Sequence, residues 1–262
     1  MGVGGPPNVP FGPGAINPYS PPTASLEGAG LPHAGMGAAA GYKSATPLAK
    51  AITVVMALDV LVELANDVNS FVTIGVMKRV IAGETVPQAD LTAIDLRTGG
   101  IGLLTLILLL AAGVLFCFFM PRANRNASSF GSFMNISPGW AAGWFFIPFA
   151  NLWMPYQAMR EIWQGSDPDP SVPKAAAPVS GLIKWWWGMY LAHNIGGWMV
   201  ALASKGAKQA QDLINSSSVD MVDSVLSIIA ALLAAATVRA VARRQDERYK
   251  RSRSGSPLPV SA

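Results

Sequence analysis

The sequence predicts an all-α integral membrane bundle of about four transmembrane helices, with one broken segment that is re-entrant or interfacial. Three observations carry that expectation. First, 51% of the residues are hydrophobic and only 13% are charged, against roughly 25% charged in soluble domains, and the mean hydropathy is +0.36. Second, the run "GGIGLLTLILLLAAGVLFCFFM", Gly99 to Met120, carries no charge and is about long enough to cross a ~30 Å hydrocarbon core. Third, three more apolar segments of similar length flank it in the chain.

The elements follow in order. Residues 1–46 are rich in Pro, Gly and Ala, with Glu27 and Lys43 as the sole formal charges. Such a segment buries too little apolar surface to offset its ordering entropy, so it reads as a disordered arm. Within it "GMGAAAG" (Gly35 to Gly41) lacks the preceding strand and the spacing of a dinucleotide-binding loop. The membrane domain spans 47–242. Its spans lie near 47–71 ("PLAKAITVVMALDVLVELANDVNSF"), 99–120, 180–204 ("SGLIKWWWGMYLAHNIGGWMVALAS") and 219–242. Pro121 is expected to stop the second span. Residues 243–262 form a basic tail, expected to be cytoplasmic and mobile. The first apolar run begins near residue 47, beyond the usual window of a cleavable signal. The one cysteine, Cys117, lies in the second span and can form no intrachain disulfide.

Orientation follows from Lys and Arg near the span ends. With four spans and both termini cytoplasmic, fourteen of the 19 Lys and Arg lie inside. The other five, Lys78, Arg79, Arg97, Lys205 and Lys208, lie outside. A plasma-membrane protein with both termini inside is the expectation.

The stretch "GWAAGWFFIPFANLWMPYQAMREIW", within 139–164, is apolar but carries Pro148, Asn151 and Pro155. Proline removes a backbone donor and disfavours helix before it. Broken backbone at membrane depth needs protein or water to satisfy it. As a fifth span it would also part the two termini. It is therefore read as entered and left on the cytoplasmic side. Its second half predicts a surface helix with Leu152, Tyr156, Met159 and Trp163 on one face, and Gln157, Arg160, Glu161 and Gln164 on the other.

The stretch from Pro121 to Ser166, with "PRANRN", "SPGW" and "GWFFIPFANLWMPYQAMREIW", together with the downstream "KWWWGMYL", resembles the hallmark of the bacterial domain-of-unknown-function family 4328. The resemblance covers roughly residues 45 to 242. It implies a multi-pass membrane protein, often with a Pro/Gly-rich N-terminal arm, and carries no established activity or catalytic residues. The acidic first span is not part of that resemblance.

In that span Asp59, Glu63 and Asp67 recur every fourth residue and share one face, with Asn66 and Ser70 on the same arc. One Asp at a helix centre costs about 2.5–3.5 kcal/mol on the insertion scale, so the stripe should face protein or water. Intramembrane acids mark ion paths and proton relays. The alternative places Asp67 in the outer headgroups and bonds Asp59 and Glu63 to neighbouring helices. His193 falls near the depth of Glu63 in the third span, so the two could form a proton-sensitive pair. The alternative is a histidine simply hydrogen-bonded between helices.

All eight tryptophans lie between Trp140 and Trp198, and Trp favours the membrane interface. They form an anchoring belt, or a lipid-headgroup site in which Arg122, Arg125, Arg160 and Lys184 meet phosphate beside Trp153 and Trp163. Small residues, among them Gly196, Ser227, Ala231 and Ala235, suit close helix packing. The expected partners are the lipid bilayer, including anionic lipids met by the basic tail, and a second copy or another membrane protein. Nucleic acid is not expected. With two histidines and one cysteine, no metal or cofactor site is expected. No nucleophile elbow or phosphate loop appears. The leading function is a non-enzymatic membrane scaffold or lipid-associated component. The alternative is a small transporter or channel using Asp59, Glu63 and His193.

Overall fold

The computed structural model describes residues 41–205 and 209–254. The expectations for residues 1–40, including nearly all of "GMGAAAG", and for 255–262 lie outside them. Among the described residues all regular structure is helical: α1 (Thr46–Ile81), α2 (Gln88–Ser129), α3 (Pro138–Gly143), α4 (Met154–Gly165), α5 (Gly181–Ser204) and α6 (Ala210–Ser254). Each of the four expected spans lies on one long helix. Two of these helices, α2 and α6, are long and apolar enough to cross a membrane. The most apolar stretch of α2 is only 11% buried in the chain, so Leu103, Leu106, Leu109 and Val114 face outward. Such a contiguous exposed apolar surface is of the kind that meets a membrane or another protein.

α6 packs along both α1 and α5, and α2 packs on the other flank of α1. α1 and α6 run antiparallel: Ser44 meets Asp246 at the basal end, Glu63 meets Ser227 midway, and Ser70 meets Asp220 at the distal end. The four helices thus stand in the order α2, α1, α6, α5. α2 and α5 approach at Phe116 and Trp186, whose rings stack 6.2 Å apart, and have no extended backbone contact.

Several boundaries differ from expectation. α2 continues through Pro121 to Ser129. Proline removes only the N–H that would reach the Cys117 carbonyl, and tertiary bonds hold the next two turns. Asn124 donates to the Ile136 carbonyl at 2.9 Å, and Asn126 donates to the Lys43 carbonyl at 2.9 Å. The helix ends where Gly131 takes φ 83°, a left-handed conformation that costs glycine little. α6 likewise runs past Ala242 to Ser254, so residues 243–254 are helix rather than tail. Residues 41–46 are tied down, because Ser44 and Thr46 donate to Asp246 at 2.9 and 2.7 Å.

The stretch 139–164 is broken as its prolines require. α3 gives way to a 3-10 turn at Trp144–Phe146, a second at Ala150–Leu152, and then α4. Between the two turns Phe149 takes φ 63°, a strained conformation for an aromatic residue. α4 presents the expected face in part: Met159 is buried, Tyr156 and Trp163 pack against the core and Gln157 and Arg160 are exposed, whereas Glu161 is buried. The helix also buries Pro155, Ala158, Ile162 and Gly165, while Leu152 and Trp153 are exposed. The difference arises at Glu161, which turns inward to an ion pair.

Candidate functional site

The structure builds two polar assemblies, one at each end of the bundle, and an apolar cleft between them.

At the basal end, polar side chains form a knot. Gln245 and Asn126 are almost completely buried. Asn126 donates to Gln245 at 2.9 Å, and Gln245 donates to the Ala123 carbonyl and to Ser166 at 2.8 and 2.9 Å. One buried amide pair therefore joins α2, α6 and the end of α4, and every bond in it offsets a desolvation cost. Glu161 accepts from the main-chain N–H of Asn135 (2.6 Å) and of Ile136 (3.0 Å), from the Asn135 side chain (2.8 Å), and from Lys174 (2.5 Å). Burial pushes its pKa up, but the Lys174 ammonium and the two N–H groups outweigh that and hold it below the ordinary glutamate value. Asp246 also titrates low: burial opposes, and hydroxyls of Tyr42, Thr46 and Ser44 prevail. Tyr42 is correspondingly raised, by burial first and then by Asp246.

This knot absorbs part of the expected headgroup site. Trp163 donates to the Pro178 carbonyl at 3.0 Å, and the Arg244 guanidinium lies 4.5 Å from its ring centroid. Arg244 also pairs with Asp167. Burial lowers the Arg244 pKa, opposed by Asp167. Trp163 is therefore occupied by protein. Arg160 lines a polar cleft of about 300 Å³ with Asn135, Gln157, Glu161, Gln164 and Lys174, which neither Arg122 nor Arg125 lines. Arg125, Trp153 and Lys184 are exposed, and Arg122 reaches only toward the Ser44 carbonyl, at 3.5 Å. The six residues do not converge on one site.

Toward the distal end lie the acids. Glu63 accepts from Ser227 at 3.1 Å. Asp220 accepts from Asn66 at 2.7 Å and from Ser70 at 3.0 Å. His193 Nδ1 stands 3.3 Å from Asp223 Oδ1, without good hydrogen-bond alignment. The expected Glu63–His193 contact is thus replaced by two contacts to α6. Asp67 keeps one buried oxygen without a hydrogen-bond partner among the described residues. Sequence reasoning missed Asp220 and Asp223. Their signal was their position at the outer end of the fourth span, at a depth that antiparallel pairing sets opposite Glu63 and Ser70. Gly196 lies against Asp223: a Cβ there would lie 2.1 Å from Asp223 Oδ1, so any other residue would force that carboxylate aside. Among the described residues no group of three His, Cys, Asp or Glu is arranged to hold a metal ion.

Between the two assemblies, where α2 and α5 stand apart, is a cleft of about 750 Å³. Leu109, Phe116, Phe145, Trp186 and Tyr190 supply apolar walls, α6 supplies Ala230, Ala231 and Ala234, and the polar lining includes Asp59, His193, Asn194 and Ser227.

The family model "Domain of unknown function (DUF4328)" matches residues 82–243. The chain belongs to this family. The match begins at residue 82 rather than near 45, so α1 and its acids lie outside the matched region, whereas the knot's "RANRN" stretch, Glu161 and Lys174 lie inside it. Comparison with curated proteins and with solved structures finds no match.

Proposed function

We propose that this DUF4328 protein is a lipid-associated component of the cell membrane that holds one amphiphilic molecule in the cleft between α2 and α5. In this reading α1, α2, α5 and α6 cross the membrane and both termini are cytoplasmic. The segment 138–165 enters and leaves on the cytoplasmic side, and the knot sits beneath the bundle. The observation that carries the proposal is the open order of the helices, which leaves about 750 Å³ lined mainly by apolar and aromatic side chains with a few polar groups. Ligand sites have this make-up. Exposed Arg243, Lys250, Arg251 and Arg253 at the end of α6 suit an anionic leaflet at about 1 kcal/mol each. The outward apolar faces of α2 leave room for a second copy or another membrane protein.

The test is purification in native lipid followed by mass spectrometry of what remains bound. A retained amphiphile is expected in the wild type and not in Leu108→Trp, where the half-buried Leu108 lines the cleft and the larger ring fills it. Equal retention by both would overturn the reading. Topology is checked in a Cys117→Ala background. Glu84→Cys should react with an impermeant thiol reagent from outside, and Ser254→Cys only after the membrane is opened.

A second reading rests on Asp59, Glu63, His193 and Asp223 meeting from three helices: a proton or cation path. Proteoliposome flux that falls in Glu63→Gln and His193→Ala would favour it. Absence of flux of any tested ion in the wild type would remove it.

A further inference from the structure

The polar lining of the cleft includes one carboxylate, Asp59, together with Asn194, Ser227 and His193. Asn194 spends an amide hydrogen on the Tyr190 carbonyl at 2.7 Å, and its oxygen has no donor among the described residues. Ser227 spends its hydroxyl hydrogen on Glu63 and so offers lone pairs. His193 turns Nδ1 toward Asp223. Asp59 lines the cleft and has no hydrogen bond or ion pair among the described residues, and no Lys or Arg lines the cleft at all. The same cleft is lined by the rings of Phe116, Phe145, Trp186 and Tyr190, and aromatic rings attract cations.

From this we infer that the occupant is a hydrophobic ammonium: an apolar body carrying a protonated amine, whose N–H groups reach Asp59 and Asn194. An anionic amphiphile would face the Asp59 carboxylate, and a neutral one would leave that carboxylate without a counter-ion. The inference rests on the cleft being a ligand site and adds the charge and donor pattern of the ligand.

The experiment is equilibrium dialysis of radiolabelled decylammonium and, separately, decanol against the full chain in nanodiscs of zwitterionic lipid, with empty nanodiscs as baseline. Wild type should bind decylammonium saturably, one per chain. Asp59→Asn, nearly the same shape, should weaken it by about ten- to a hundred-fold, the worth of one charge-assisted bond. Binding of decanol should be weaker and unmoved by that substitution. If both probes bind alike and Asp59→Asn changes neither, while Leu108→Trp abolishes both, the ammonium assignment falls and the cleft remains a ligand site. If neither probe binds saturably, both fall. A thermal melt unchanged in Asp59→Asn guards against loss of fold.

Discussion

Replacing Glu161 by Gln should loosen the knot by several kcal/mol. The amide oxygen can keep the place of Oε1, facing the Asn135 N–H, the Asn135 side chain and Lys174. Its NH2 then stands where Oε2 accepted from Ile136 at 3.0 Å, donor against donor. Losing one bond to a charged acceptor costs about 1.5–3 kcal/mol, and the remaining bonds become neutral and weaker. Together about 3–4 kcal/mol is expected, within the range of about 3–5 kcal/mol for breaking a buried pair from one side. The side chains of Lys174 and Glu161 are 22% and 8% exposed, so solvent does not screen the effect away. The assay is amide hydrogen exchange at Asn135 and Ile136 in lipid nanodiscs. Roughly 3 kcal/mol corresponds to exchange about a hundred-fold faster. A cycle with Lys174→Met should give a coupling of at least about 1 kcal/mol. Acceleration under about three-fold, with coupling under about 0.3 kcal/mol, would mean that Glu161 is not what fixes the 130–137 loop.

Three other outcomes follow from the same geometry. Gly196→Ala drives a Cβ into Asp223 and should destabilise by about 1–3 kcal/mol in a thermal melt, whereas Gly196→Ala with Asp223→Ala should recover most of it. Gln245→Ala removes an acceptor from Asn126 and the side-chain donor that meets Ser166 and the Ala123 carbonyl; it should cost about 2–4 kcal/mol and open the Asp246 end of α6 to protease. Acid should act on the knot through Glu161 and Asp246, both held below their ordinary values of 4.5 and 3.8. A depressed native pKa means the stabilisation is complete above the ordinary value and is lost as pH falls through the native one. Protease sensitivity of residues 130–137 should therefore be flat above pH ~5 and climb below pH ~4.

The places of the apolar helices were legible from their hydrophobic runs, but their lengths were not, since α2 continues to Ser129 and α6 to Ser254. The break at Pro148 was legible from proline chemistry alone. The knot was not, because Asn124, Asn126 and Gln245 are buried by partners distant in sequence, and no local periodicity marks an amide that will meet another 119 positions away. The same limit misplaced Glu161 on α4. Its pattern suggested that Glu161 faced solvent, and only Lys174, brought in by the following loop, makes burial of that carboxylate favourable. For the acids, the first helix showed that a polar stripe needs protein beside it, while the identity of the protein groups, Asp220, Asp223 and Ser227, depended on an antiparallel register.

The 45 residues of α6 make a rod of about 67 Å, roughly twice the thickness of the hydrocarbon core. Between Asp223 and Gln245 it has neither Gly nor Pro to bend it. Those two side chains sit about 33 Å apart and within about 40° of the same face. A rotation of α6 that parts Asp223 from His193 must turn Gln245 by the same angle inside the buried amide pair. One uninterrupted helix thus carries a partner in each polar assembly, Asp223 in one and Gln245 in the other.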